Sequence, residues 1–128
     1  MRKLLAVLLL ALCFACVKAQ AQRLSCSKFH NGTFRMMHDG MVDTVIRKVA
    51  IQTELFNNTK KGTFNVKWIE ECTYTLIPTE ETLKNEPNMP RSMIVTVKLS
   101  NAVKNTCTQT ITNNLTGEVI TMDVEKIK

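Results

Sequence analysis

The chain has 128 residues, a formal net charge of +6 and a hydrophobic fraction of 45%, which fits one small domain built on a hydrophobic core. The basic excess is not a nucleic-acid signature. Beyond the first residues the only basic pairs are Arg47-Lys48 and Lys60-Lys61, and no aromatics are interleaved with them.

Arg2 and Lys3 open the chain, an apolar run extends from Leu4 to Val17, and Ala19-Gln20-Ala21 supplies small residues two apart. That order reads as a secretory signal peptide over residues 1–21, with a single β domain over 22–128. The run is shorter than the roughly 20 residues a bilayer span needs, so no stable membrane insertion is expected after cleavage. The leader takes three of the seventeen basic residues, leaving fourteen against eleven acidic ones, a net of +3. Lipid attachment at Cys13 or Cys16 is the weaker expectation. Cys16 has a small residue before it and Cys13 a leucine three before it, but neither has both.

Almost everything after the leader reads as strand. Asn31-Gly32 is a hairpin-type dipeptide. A hairpin turning near Lys48-Val49-Ala50 sets Arg47 across from Gln52 and Glu54. The run Asn57–Gly62 separates two strands. Phe64, Val66 and Trp68 then alternate with Asn65 and Lys67, and Cys72, Tyr74 and Leu76 with Thr73 and Thr75. A two-residue period marks half-buried strands. Glu70-Glu71 is either a turn or part of one long strand. Residues 78–90 carry the three prolines and leave room for one helical turn capped by Thr79. Met93–Leu99, Thr106–Thr112 and Val119–Val124 are rich in β-branched residues that favour sheet. Lys104-Asn105 and Asn113–Gly117 are turns between them. The fold class is therefore all-β, an antiparallel meander of roughly seven or eight short strands curled into a small, lipocalin-like barrel or half-barrel, with a β-sandwich as the alternative.

Four segments together resemble a family of small exported proteins of Bacteroidetes: Cys26–Phe34 (C-x-x-F-x-x-G-x-F), Ile46-Arg47 with Gln52-Thr53-Glu54, Lys67–Leu76 (K-W-x-x-x-C-x-Y-x-L), and the closing Met122–Ile127. Members sometimes carry a topoisomerase-subunit label. This chain has no nucleotide site and no catalytic-tyrosine context, so the label transfers nothing. The resemblance implies a secreted or periplasmic address. It also points to the cysteine pairing. Cleavage leaves Cys26, Cys72 and Cys107. Cys26 and Cys72 lie in the segments that carry the pattern, and a bond between them would pin the start of the domain. Cys72–Cys107, or three reduced buried thiols, are the alternatives.

No catalytic constellation is legible. His30 and His38, eight apart with Asp39 or Cys26 nearby, are a minor metal-site expectation beside the default of two exposed or turn-edge histidines, and no motif places an orienting group for a Cys26–His30 nucleophile pair. Adjacent Glu70 and Glu71 would point to opposite faces of a strand. The expectation is a non-enzymatic domain without cofactor or nucleic-acid partner. It binds a small amphipathic ligand, or an envelope or other protein partner, near Arg47, Gln52, Glu54, Lys67 and Trp68. The alternative is an inhibitor presenting the 78–90 loop to a secreted hydrolase. N-terminal mass analysis of the exported protein should find a chain starting at Gln22 without lipid; a diacylated Cys16 would refute the cleavage site.

Overall fold

The computed structural model describes residues 25–128; the leader, Cys13 and Cys16 lie outside the described residues. Eight strands follow in order: β1 (Gly32–His38), β2 (Met41–Lys48), β3 (Ile51–Phe56), β4 (Thr59–Glu70), β5 (Thr73–Pro78), β6 (Val95–Val103), β7 (Thr106–Asn113) and β8 (Val119–Lys126). Each pairs antiparallel with the next, and β8 pairs back onto β1, closing a barrel. The sandwich alternative is thereby excluded. Closure leaves no strand edge open to pairing with another chain.

Side-chain alternation builds the interior. Phe34, Val45, Phe64, Val66, Tyr74, Leu76, Val97, Leu99, Cys107 and Val124 are all buried, two residues apart wherever one strand supplies more than one of them. The opposite faces carry threonines, lysines and acids. β7 shows the pattern most plainly: Cys107 and Gln109 are buried while Thr106 is exposed and Thr108 and Thr110 are only partly covered.

The two ends of the barrel differ. At one end a 3-10 turn, Ser27–Phe29, places Phe29 in the core with its ring 6.4 Å from that of Phe34. A Cys26–Cys72 disulfide ties this turn to the β4–β5 connection, and among the described residues Cys107 is free and buried. The bond closes a loop with a sequence separation of 46, for which chain entropy gives a stabilisation of about 4 kcal/mol. His30 stacks on Trp68 at 3.6 Å between ring centroids and donates from Nε2 to the Glu71 carbonyl at 2.8 Å. At the other end lie the β1–β2 and β3–β4 turns, the β7–β8 loop and the long β5–β6 connection. That connection holds the helix α1 (Glu80–Asn85), capped by Thr79 and joined to β4 through a buried Thr63–Thr79–Thr82 hydroxyl cluster. Among the described residues no helix is long and apolar enough to cross a membrane.

Several turns differ from the sequence expectation. Asn31-Gly32 is not a hairpin; Gly32 opens β1 at φ +139°, where an added Cβ would stand 2.5 Å from the Lys128 carbonyl oxygen. Asn31 Oδ1 instead accepts the Val49 N–H at 2.8 Å. The first hairpin turns at Asp39-Gly40, both with positive φ (49° and 77°), as a two-residue turn of this twist requires. The β3–β4 turn is only Asn57-Asn58, with β4 resuming at Thr59. Glu70 ends β4, so the turn falls on Glu71-Cys72.

Val49 sits in the β2–β3 turn at φ +57°, a conformation that crowds a β-branched side chain. Its side chain is 76% exposed and gains no packing in return. Val49→Gly should therefore raise stability by about 0.5–1 kcal/mol, the relieved strain exceeding the entropy glycine adds to the unfolded chain. A lower urea midpoint than the parent's would contradict the strain argument.

Candidate functional site

The hairpin between β2 and β3 sets Arg47 directly opposite Gln52, with Glu54 two residues farther on the same face. That face is the inside of the barrel. Arg47 is only 2% exposed, and its guanidinium lies 4.6 Å from the ring centroids of both Phe34 and Tyr74 and 5.8 Å from that of Trp68. Aromatic faces are electron-rich and can hold a cation where water is excluded. Among the described residues no carboxylate pairs with it directly. One nitrogen, Nη1, donates to Gln52 Oε1 at 3.2 Å and to the Tyr74 hydroxyl at 3.1 Å, while Nε is buried without a partner.

Because a guanidinium only donates, it orients everything attached to it. Gln52 must turn its oxygen toward Arg47 and its amide nitrogen outward, where Nε2 donates to Glu54 Oε1 at 3.1 Å. The Tyr74 hydroxyl also takes a hydrogen bond from Gln109 Nε2 at 3.3 Å. Arg47, Gln52, Glu54, Tyr74 and Gln109 thus form one directed network across four strands. Burial pushes the Tyr74 hydroxyl up to about 12 against the opposing pull of Arg47, and the Cys107 thiol up to about 11. Both remain protonated at neutral pH, and Cys107 is an inert core residue.

The network floors a cavity. A space of about 220 Å³ is walled by Phe64, Leu76, Met93, Val95, Val97 and Ile111, with Gln52, Glu54, Tyr74 and Gln109 as its polar groups. A neighbouring space of about 270 Å³ is lined by Met36, Asp43, Val45, Glu54, Leu55, Phe56 and Lys61. Met36 and Glu54 belong to both walls. Each alone is below the roughly 300 Å³ at which ligand pockets usually begin, but Met36 is an unbranched side chain with three rotatable bonds. It stands with Glu54 on the boundary between the two spaces. The cavity lies toward the end with the long β5–β6 connection, opposite the Phe29 plug.

Of the residues singled out in the sequence, Arg47, Gln52 and Glu54 come together. Trp68 is core, packed against Tyr74 at 4.5 Å and His30, and lies under Arg47 rather than in the cavity. Lys67 does not join the cluster; strand parity puts it on the exposed face of β4. His30 and His38 stand at opposite ends of β1, separated by roughly 20 Å of extended chain, and among the described residues no group of three or more His, Cys, Asp or Glu is placed to hold a metal. Sequence reasoning missed Gln109, Asp43 and Met36. A signal was present for the first: in Thr106–Thr112 the threonines share one face, so Gln109 stands alone among apolar residues on the other.

The described residues thus form an eight-stranded, up-and-down barrel with one plugged end and an internal, part-polar cavity. No family model, curated protein or solved structure matches the chain.

Glu54 carries a stability cost. Burial raises its pKa above the ordinary carboxylate value, Asp43 adds to the rise, and the Gln52 hydrogen bond opposes it. The charged groups around it are Asp43 and Arg47 from β2 and Lys61 from β4, beside the neutral phenol of Tyr74 from β5. Between the unfolded and folded pKa values the folded chain holds the proton that the unfolded chain has released. Stability therefore falls as pH rises from about 4.3 through the folded value. Glu54→Gln, which mimics the protonated form, should be more stable than the parent at pH 7 and match it near pH 4. Parallel denaturation curves at both pH values check this; equal destabilisation at both would refute it.

Proposed function

We propose that this chain is an exported, non-enzymatic binding protein whose barrel takes a small amphipathic ligand, apolar part against the Phe64–Leu76–Val95–Ile111 wall and polar end toward the Gln52–Glu54–Tyr74–Gln109 floor. The observation that carries the reading is the cavity itself: a core of this size would be more stable filled, yet space is left directly above a fully ordered polar network. The Cys26–Cys72 bond and the leader motif support an oxidising, extracytoplasmic compartment. The resemblance to exported Bacteroidetes proteins supports the same address.

The inhibitor reading wants a filled barrel and a free-standing loop. The 78–90 segment is instead drawn onto β4 by Thr82, and Arg91 grips Glu80 at 2.9 Å across it, so the cavity favours ligand binding.

Native mass spectrometry of protein purified from its natural source is expected to show a small molecule retained on the polypeptide and released on unfolding. Val95→Phe, which pushes a ring into the cavity, should come off the same preparation bare. A parent protein that carries no adduct and takes up no apolar probe would overturn the reading.

A further inference from the structure

We infer that the ligand is a small amine, its ammonium group held between Glu54 and Asp43 and its apolar part lying in the inner cavity. This rests on the reading that the barrel holds a ligand, and it follows from what the network leaves unsatisfied. The direction of the hydrogen bonds is imposed by Arg47, so Glu54 receives a hydrogen bond on Oε1 alone, and Oε2 has no hydrogen bond among the described residues at the space Glu54 lines. Asp43 lines the adjoining part of that space and makes neither an ion pair nor a hydrogen bond there. Neither carboxylate has a cation within salt-bridge reach among the described residues.

A second observation, independent of the acids, comes from Gln109. It is only 3% exposed, it lines the inner cavity, and its single side-chain hydrogen bond is to Tyr74. Whichever way its amide is turned, one of its two polar atoms faces the cavity with no protein partner. That atom is open to the cavity and free to meet a polar group on a guest. Between them the cavity groups offer chiefly acceptors: two carboxylates and, in the orientation observed, the Gln109 oxygen. A donor with positive charge satisfies most of them; an anionic head would meet two carboxylates. Phe56 adds an aromatic face on the same wall. Lys61, the only basic residue in the lining, does not fill the role. Its ammonium stands 5.9 Å from the centre of the Phe56 ring and pairs with neither acid.

The test compares three probes of one shape, hexylammonium, hexanol and hexanoate, by calorimetric titration at pH 7 and fixed ionic strength. The amine should bind about tenfold or more tightly than the alcohol, the size of one charge-assisted hydrogen bond, and the carboxylate should bind least. Glu54→Gln should erase the amine's advantage while leaving the alcohol's affinity in place, and Val95→Phe should weaken amine and alcohol together. If the alcohol or the carboxylate equals the amine, the amine assignment is wrong while the binding cavity stands. Amine binding that survives Val95→Phe undiminished places the amine on the surface and also overturns the assignment. If none of the three binds, both the assignment and the cavity reading fall.

Discussion

The buried guanidinium of Arg47 is the constraint on which the rest of the interior depends. A charge taken out of water needs compensation. Here it comes from two aromatic faces at 4.6 Å, a third at 5.8 Å and two neutral hydrogen-bond acceptors rather than from a contacting carboxylate. Burial lowers the pKa of Arg47, but an arginine starts so high that it stays charged. Being permanently a donor, it sets the orientation of Gln52 and through it of Glu54. One residue thereby converts a set of side chains from four strands into a network with a single polarity.

That polarity has a cost, and the cost is informative. A leucine or methionine at Glu54 would pack the barrel with no desolvation penalty, whereas burial of the carboxylate removes it from water and raises its pKa. Local conflicts of this kind gather at functional sites, where the fold tolerates them because the surrounding structure is over-determined. The rest of the barrel interior follows its alternating pattern, and the strained Val49 lies outside it in the β2–β3 turn. The conflict is confined to Arg47, Glu54 and the partly paired Gln109, all bordering or underlying one cavity.

The asymmetry of the ends makes the cavity a dead-end rather than a pore. Phe29, the His30–Trp68 stack and the Cys26–Cys72 bond close one end with covalent and aromatic contacts. The other end is finished by short turns and by a connection joined to β4 through threonine hydroxyls and packed on the core by Met89 and Met93.

The chain's local pattern alone determined the strands, most of the turns and the two faces of each strand, because a two-residue period and β-branched composition report only on near neighbours. Arg47, Gln52 and Glu54 were legible as a group because a tight hairpin brings residues five to seven apart in sequence into register. Closure of β8 on β1, the joining of Tyr74 and Gln109 to Arg47, the outward turn of Lys67 and the stacking of His30 on Trp68 were decided only by the tertiary structure. Those contacts join residues separated by tens of positions, and alternation says that two faces differ without saying what stands across the barrel. The disulfide lay between these cases: likeness to a family pattern suggested it, and the plug at the closed end is the physical reason the two cysteines meet.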